Sequence, residues 1–544
     1  NKEKGYLKDT DNVIMDTTKE ENIHALFGVY IINLLKEENP EIFPEDFNNI
    51  VKNAMIKSYE SESRIIDWVF EHGDLEYLKA EEVKNYIKFR INYSLELLNI
   101  DKIFDIKDED IEKFDFFELI LIHMYNWINK ASSAYLNDGK SGYLLPGETP
   151  EIRFELIANT IQEVLPKNPT FKEEFLKYLD IGMYALSTPF ITSVGRKSAL
   201  PFSCSNQHIG DSMGEIAFAK GESAIMTKVG KGCSGYMDLR GAGAAITNSG
   251  ISSPGSLYFA EGFNQIIKEV NQGVRRGYMA LYRDIDHNDI LNVLDIQRDN
   301  NPLDKINYGV CIGQDFLDKA ANGDEKAREV LLKVHESRFL TGLPYIFFKD
   351  NVNNAKPDVY KDNDFTIKSS NLCTEILEVS DDKYSFVCDI AAMNAIFIDH
   401  PEFGRAVEVL AQALDGLHTI YQRTLLSWKH SDKKEDNYKW FFLQKAYKSS
   451  HDFRDIGVGC TGYHTLLQNN NVAFESMDAK YINAKLFKKI QEHTLKSSQE
   501  LALLYGEPKM LEGYGRRNCL MNAVAPNTSS AFILEQVSQG IEPI

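Results

Sequence analysis

The sequence predicts a multidomain protein in which an all-helical N-terminal part precedes an α/β part. With 544 residues the chain is too long for one compact core, so two to four domains are expected. Apolar residues keep helical spacing from residue 17 to about 100, for example at Val83, Ile87, Ile91 and Leu95. After Pro150, helical stretches alternate with short apolar runs flanked by Gly, Ser and Asn, which predicts α/β structure with a mostly parallel sheet.

Charge and composition exclude several classes of function. The formal net charge of −20 disfavours nucleic acid or an anionic membrane as the main partner. The sequence contains neither a run of about 18 apolar residues nor an apolar N-terminal signal segment. Its seven cysteines are scattered, odd in number and without a Cys-x-x-Cys pair. This usage indicates a reducing, cytoplasmic location rather than a disulfide framework or structural zinc.

The helical part contains one Glu-x-x-His pair, formed by Glu21 and His24. Residues three apart share a helix face, and two such pairs with two further glutamates form a di-metal carboxylate site in a four-helix bundle. The alternative is a capping box, Thr18-x-x-Glu21, with His24 as an ordinary helix residue. The motif alone leaves both interpretations open.

The α/β part contains a dense group of reactive side chains, Asn371-Leu372-Cys373-Thr374-Glu375. In an extended segment its amide, thiol and carboxylate would point to the same side. Cys388 follows Cys373 by fifteen residues, and Cys204 lies far upstream in Pro-Phe-Ser-Cys. Any one of these cysteines alone would be expected to be a small core residue.

Taken together, these strings resemble the large subunit of ribonucleotide reductase. Asn-Leu-Cys-x-Glu is the distinctive string, and other family motifs occur in family order. They are Leu186-Ser187-Thr188-Pro189, Gly210-Asp211-Ser212, Leu239-Arg240-Gly241, residues 272–277, Pro526-Asn527-Thr528-Ser529-Ser530 and Gly540-Ile541-Glu542-Pro543. The resemblance covers roughly residues 140 to 544.

The resemblance implies a ten-stranded α/β barrel with Cys373 on a central finger loop. Cys373 would become the thiyl radical that takes the ribose 3′ hydrogen. Cys204 and Cys388 would be the dithiol that supplies two electrons by closing a disulfide. Glu375 would be the base on the 3′ hydroxyl, and Asn371 would bind the ribose hydroxyls.

The resemblance also implies nucleotide contacts. The substrate phosphates and sugar would meet hydroxyl and backbone N–H groups of Thr188, Ser203, Thr528, Ser529 and Ser530. A helix N-cap is a compatible interpretation of the last three. The dNTP or ATP specificity effector would contact Asp211, Arg240, Gln272 and Arg275.

With this family in mind, the helical part resembles the C-terminal half of the small, radical-generating subunit. That subunit is ferritin-like and holds a di-iron or di-manganese centre. Glu21 and His24 match two of its six ligands, and Trp68 and residues 86–98 also fit. Glu20 stands where the family has Asp. We therefore expect the chain to supply only part of the metal centre.

The expected organisation has three parts: residues 1–112, partial ferritin-like helices; 113–170, a linker and helical region without an ATP-cone; and 171–544, a catalytic barrel incomplete at its C-terminus. We expect a component of a fragmented and fused class I reductase acting on ribonucleoside di- or triphosphates. Other fragments would complete both subunits, in an oligomer reduced by a thioredoxin- or glutaredoxin-type protein. Candidates for radical transfer are Tyr125, Tyr135 and Tyr143.

Two other functions share part of this pattern. A cobalamin-dependent reductase of the same barrel family needs no di-metal subunit, so Glu21 and His24 speak against it. A catalytically silent nucleotide-binding or assembly component would not need Cys204, Asn371, Cys373, Glu375 and Cys388 together, and all five are present.

Overall fold

The computed structural model describes most of the chain in two compact units, Asn1–Ile128 and Asn129–Ile544. The described residues are 32–33, 36, 40, 43–44, 46–69, 79–106, 143–145, 147–196, 200–228, 230–247, 250–270, 277–298, 301–534 and 537–543. Some of the predictions lie outside them: Glu21, His24, Gln272, Arg275, Tyr125 and Tyr135.

In the first unit, the described residues form helices α1 (Phe47–Val69) and α2 (Ala80–Leu97). The Glu82 carboxylate accepts a hydrogen bond from the Lys79 backbone N–H and caps α2. The helical spacing predicted at Val83–Leu95 is confirmed, because Ile91 and Leu95 of α2 form a small core with residues of α1. A ferritin-like bundle is not confirmed by these two helices.

The second unit contains most of the regular structure. Its strands are β1 (Tyr184–Leu186), β2 (Cys204–Ile209), β3 (Gly232–Met237), β4 (Met279–Asp284), β5 (Ile306–Ile312), β6 (Tyr345–Phe348), β7 (Val387–Asn394) and β8 (Ile456–Thr461). Its first helices are α3 (Pro150–Gln162), α4 (Phe171–Ile181), α5 (Thr188–Ser193), α6 (Met213–Lys228), α7 (Ser256–Glu269), α8 (Ile290–Arg298), α9 (Gln314–Ala321) and α10 (Glu325–Thr341). The remaining helices are α11 (Lys349–Ala355), α12 (Asp358–Asp362), α13 (Phe403–Lys429), α14 (Lys434–Asp452), α15 (Tyr463–Asn469), α16 (Met477–Tyr505) and α17 (Thr528–Ile533), with 3₁₀ turns at Ala395–Phe397 and Lys509–Leu511.

The eight strands found among the described residues form one sheet in the order β1-β7-β2-β3-β4-β5-β6, and β8 also pairs with β7. Neighbours from β2 to β6 are parallel, as are β7 and β8. Strand β7 runs antiparallel to β1 and β2. The prediction of a mostly parallel α/β sheet is therefore confirmed, whereas the count of ten strands is not.

Helices cover this sheet and bury its strands. The long helix α13 lies at the centre of the core, and most of its residues from Phe403 to His418 are buried. It packs against α14, α16, β7 and β8. None of the helices in the described part of the chain is long and apolar enough to cross a membrane.

Candidate active site

Two of the predicted reactive cysteines lie opposite each other on two paired strands. Cys204 begins β2 and is the register partner of Cys388 on β7, in an antiparallel pair. Such partners have Cα atoms about 4.5–5.5 Å apart, and disulfides span roughly 4.4–6.8 Å. Both residues are thiols in this structure, and both are buried. The strand register therefore places two thiols where they can close a disulfide.

The segment from Ser370 to Ile376, which contains Cys373 and is called the finger segment, lies beside this thiol pair. It belongs to the long connection between α12 and β7. Ile376 packs in one small cluster with Cys204, Phe386 and Cys388. Asn206 of β2 fixes the start of the segment, because its Nδ2 donates to the Ser370 carbonyl at 2.8 Å. Strand β2 thus orients one thiol and anchors the finger segment as well.

Gly232 of β3 makes room for the close packing of the finger segment against Cys204. A Cβ atom built on Gly232 of β3 would lie 3.0 Å from Leu372 Cδ2 and 3.5 Å from Cys204 Sγ. Leu372, the residue before Cys373, occupies the space that a side chain at position 232 would need. The missing side chain therefore lets the finger segment pack closely over Cys204.

The finger segment is a turn, so an extended arrangement is wrong for it. Thr374 has φ +71°, and its N–H donates to the Asn371 carbonyl at 3.3 Å. A left-handed backbone in a β-branched residue costs on the order of 1–3 kcal/mol and needs support from its surroundings. Asn371 is buried, whereas Cys373 is exposed. The amide, thiol and carboxylate are therefore brought together by a turn rather than by strand alternation.

Asn371 organises this turn through its side chain. Its Oδ1 accepts hydrogen bonds from the backbone N–H of Glu375 at 3.0 Å and of Ile376 at 3.1 Å. Its Nδ2 is buried and has no hydrogen-bond partner among the described residues, and the same holds for Glu375 Oε2. A buried donor and a buried acceptor without partners are costly unless a ligand satisfies them. The turn therefore presents a polar pair suited to a ligand with hydroxyl groups.

The electrostatics of the site favour a neutral thiol at Cys388 and a raised proton affinity at Glu375. Burial raises the pKa of Glu375 above its usual value. Burial also raises the pKa of Cys388 far above its usual value, with further contributions from Glu378 and Cys204. Cys388 is therefore protonated at neutral pH, while Glu375 is shifted toward the range useful for proton transfer.

The predicted substrate-contacting hydroxyls lie in two groups. Ser203 precedes Cys204; its N–H donates to the Cys388 carbonyl and its Oγ to Ser187 Oγ at 3.2 Å. Thr188 begins α5, and its Oγ1 lies 2.7 Å from the Tyr143 hydroxyl. Tyr143, a predicted radical-transfer candidate, is thus buried beside Thr188.

The second group of hydroxyls begins α17. Thr528, Ser529 and Ser530 are its first three residues, and Asn527 precedes them without a side-chain cap. Thr528 Oγ1 donates to Gln539 Oε1 at 2.6 Å. Ala531 packs with Ala185 of β1, the strand that leads to Thr188. The structure therefore brings α17 and the strand that precedes Thr188 together.

The predicted effector residues Asp211 and Arg240 form an ion pair. The Arg240 backbone N–H donates to Asp211 Oδ1 at 3.1 Å. The Nε of the Arg240 side chain donates to the other carboxylate oxygen, Oδ2. Arg240 Nη1 also donates to the Ala245 carbonyl at 2.8 Å. The pair is partly exposed at the start of a loop that leads to α7.

Asp289 holds this loop, although no sequence motif singles it out. Its Oδ1 accepts from the Ala242 N–H at 2.8 Å, and its Oδ2 accepts from the N–H of Ser256, the first residue of α7, at 2.7 Å. Burial alone would raise the pKa of Asp289, but these hydrogen bonds outweigh burial and lower it.

Two other residues of the site were not predicted from the sequence. Tyr282 of β4 forms a hydrogen bond with the finger turn, but no sequence motif distinguishes it from the other tyrosines of the chain, which has 26 in all. Glu378 is buried near Cys388, and its spacing of three residues from Glu375 was the available signal. Burial and the neighbouring Asp455 raise the pKa of Glu378 far above its usual value.

Comparison with known proteins identifies the family. Residues 202–326 and 322–511 match the family model "Ribonucleotide reductase, barrel domain". A solved structure, the alpha subunit of the class Id ribonucleotide reductase of Actinobacillus ureae, is 39% identical with a TM-score of 0.70. The match covers 77% of this chain and 76% of that chain. The chain belongs to the ribonucleotide reductase family.

Viral ribonucleotide reductases are also similar. A frog virus 3 (isolate Goorha) protein, provisionally named a ribonucleoside-diphosphate reductase large subunit, is 28% identical over 398 residues; the match covers 69% of this chain and 66% of that protein. The ribonucleoside-diphosphate reductase large subunit of invertebrate iridescent virus 3 is 24% identical over 479 residues, covering 74% of this chain and 72% of that protein. The chain thus spans about two thirds to three quarters of these relatives.

The N-terminal part matches the other reductase subunit. Residues 1–111 match the family model "Ribonucleotide reductase, small chain". One chain therefore joins a small-chain segment to a ribonucleotide reductase barrel domain. The family as a whole implies a metal centre and a redox partner. The predicted metal ligands Glu21 and His24 fall in this segment but outside the described residues.

Proposed function

We propose that this chain carries the catalytic site of a class I ribonucleotide reductase, which converts ribonucleoside di- or triphosphates to 2′-deoxyribonucleotides for DNA synthesis. The observation that carries the proposal is the register of Cys204 with Cys388 beside the finger turn that presents Cys373. Three thiols with two different exposures are the set this reaction needs: one reaches the substrate, and two close a disulfide.

The proposed chemistry begins at the exposed thiol. As a thiyl radical, Cys373 takes the 3′ hydrogen atom of the ribose, and the Glu375 carboxylate takes the 3′ hydroxyl proton. The buried Asn371 Nδ2 donates to a ribose hydroxyl, which satisfies the donor that has no partner among the described residues.

The dithiol completes the reduction. One thiol proton leaves with the 2′ hydroxyl as water, the hydrogen of the second thiol forms the new bond at C2′, and Cys204 and Cys388 close a disulfide and so supply two electrons to the sugar. Glu375 then returns its proton to the 3′ oxygen. Cys373 then returns the hydrogen atom to C3′ and becomes the thiyl radical again. Because the pKa of Cys388 is raised by burial, its proton stays available until the 2′ hydroxyl departs.

The hydroxyl groups around this centre would orient the nucleotide. Ser203 adjoins Cys204, and β1, the strand that precedes Thr188, packs against α17. We propose that Thr188, Ser203 and Thr528–Ser530 bind the phosphates and sugar. Asp211 and Arg240, with Gln272 and Arg275, would contact the dNTP or ATP specificity effector.

The radical would originate in the small-chain segment. We propose that Glu21 and His24 are two ligands of a di-iron or di-manganese centre whose other ligands lie outside this sequence, on further reductase segments. When bound, the metal centre supplies the oxidising equivalent that generates the radical. The metal content of the assembled complex, compared between the natural chain and Glu21→Ala, tests this assignment. An unchanged metal content would refute it.

Turnover of the assembled enzyme tests the main proposal. The chain, combined with the remaining small- and large-subunit segments and an external dithiol, is expected to convert CDP or CTP to the deoxynucleotide. Cys373→Ser should abolish turnover and leave nucleotide binding unchanged. Equal turnover by Cys373→Ser and the natural chain would overturn the proposal and favour a catalytically silent binding component.

A further inference from the structure

Tyr282 forms two hydrogen bonds with the finger turn. Its hydroxyl lies 2.7 Å from the Asn371 carbonyl oxygen and 2.7 Å from Thr374 Oγ1. A carbonyl only accepts and a phenol has one proton, so Tyr282 donates to Asn371 and Thr374 donates to Tyr282. The Tyr282 hydroxyl therefore connects Asn371, two residues before Cys373, with Thr374, the residue that follows it.

The ring of Tyr282 has little freedom to move. Tyr282 is fully buried on β4, and its ring lies where a side chain at Gly309 of β5 would stand. Its other neighbours include Phe347, whose ring meets it edge-on at 6.5 Å between centroids. Burial raises the pKa of Tyr282 far above its usual value, so the hydroxyl keeps the proton that it donates.

The strand that carries Tyr282 is anchored on its opposite face. The next residue, Arg283, is fully buried and donates to Ser256 Oγ, which in turn donates to Asp289 Oδ2 at 2.8 Å. Tyr282 is thus a rigid support, whereas the turn that it contacts contains a strained residue, Thr374 at φ +71°.

We propose that Tyr282 is a positioning residue for the reaction: its hydroxyl holds Thr374 in the left-handed conformation and thereby fixes Cys373 toward the ribose. The inference rests on the proposed function and adds to it a residue that touches neither substrate nor the reacting atoms. If the hydroxyl is removed, Thr374 is expected to relax toward an ordinary backbone conformation, and the Cys373 thiol moves with it.

A double-mutant comparison tests this directly. Tyr282→Phe removes only the hydroxyl. Thr374→Gly removes the strain, because glycine adopts positive φ freely. The matched control is Tyr308→Phe on β5, since Tyr308 is also buried but its hydroxyl has no hydrogen-bond partner among the described residues.

The first readout uses the chain alone. Cys373 is the exposed cysteine and the other six are buried, so its iodoacetamide alkylation rate, followed by peptide mass spectrometry, reports the pose of the turn. Tyr282→Phe should raise this rate at least threefold, and Tyr308→Phe should leave it unchanged. Equal rates in Tyr282→Phe and the natural chain would overturn the proposal.

The second readout is turnover in the assembled reductase. Tyr282→Phe should lower kcat about tenfold with KM within twofold. In the Thr374→Gly background, Tyr282→Phe should lower kcat by no more than about twofold, because no strained residue remains for the hydroxyl to hold in place. Equal costs in the two backgrounds would overturn the proposal. Failure of the natural chain to turn over would instead refute the proposed function, and the alkylation rates would still decide the role of Tyr282.

Discussion

Cys204 and Cys388 are register partners in the antiparallel pair of β2 and β7, although a long stretch of chain separates them. We predict that substrate turnover without an external reductant leaves these two cysteines as a disulfide. Non-reducing peptide mapping should find that crosslink after one turnover. Cys388→Ser should abolish both the crosslink and turnover, whereas Cys460→Ser, a change at another buried cysteine, should abolish neither. A crosslink that involves Cys373 instead would contradict this pairing.

The raised pKa of Glu375 predicts the acidic limb of the pH–rate profile. The base must be ionised, so kcat should fall as pH decreases through the pKa of Glu375, at a pH above the usual value for glutamate. Glu375→Gln should reduce kcat by about 10²–10⁴-fold. The exposed Glu512 offers a matched Glu→Gln control that should leave the profile unchanged. A natural profile that stays flat to acidic pH would contradict the role of Glu375.

Asp289 should hold the conformation of the loop between Arg240 and α7, and so affect effector binding without contacting the effector. Asp289→Asn replaces an oxygen that accepts N–H groups with a donor, so the bond to Ala242 or those to Ser256 are lost. We expect dNTP binding, measured by calorimetry with each dNTP, to weaken about tenfold. Asp286→Asn, an exposed change three residues away, should leave it unaltered. Unchanged binding in Asp289→Asn would contradict this role.

His418 should make the fold sensitive to acid. The His418 Nε2 lies 2.7 Å from the Asp455 carbonyl oxygen, and its Nδ1 lies 2.8 Å from Ser450 Oγ. Burial lowers the pKa of His418 to about 3, with a further contribution from Arg454. The unfolded chain binds this proton at higher pH than the folded chain, so the stabilisation is complete above pH of about 6.5 and falls by about 2 kcal/mol at pH 5.

Thermal unfolding at pH 7 and pH 5 measures this effect. The midpoint should drop on acidification in the natural chain, and His418→Asn should reduce that drop. His335→Asn, at an exposed position of α10, should retain it. An equal drop in the natural chain and His418→Asn would show that other groups are responsible.

Features that depend on local spacing or on distinctive strings could be predicted from the sequence. The helical period at Val83–Leu95 is local, and it corresponds to α2. The motif Asn-Leu-Cys-x-Glu indicates the family through its residue types and order alone, and the family is confirmed. Each of these signals is contained in a short stretch of chain, so neither depends on a long-range contact.

The conformation of the finger turn could not be predicted, because a distant residue decides it. Spacing alone predicts strand-like alternation at Asn371, Cys373 and Glu375. Thr374 adopts positive φ instead, in a turn that is bonded to Tyr282, 92 residues away. A β-branched residue gives no local sign of such a conformation, since its own preference opposes it. Asp289 escaped prediction for the same reason, because its partners come from a separate loop.

The missing side chain at Gly232 limits how this enzyme can vary. Gly232 has no charge and no reactive atom, yet its space is filled by Leu372. An alanine there would require a shift of a few tenths of an ångström, and a larger residue would push the finger turn away from Cys204. The separation between the turn that contains Cys373 and the pair Cys204–Cys388 is thus set in part by a position outside both. A substitution there would change how closely the finger turn approaches Cys204 without altering any of the three cysteines.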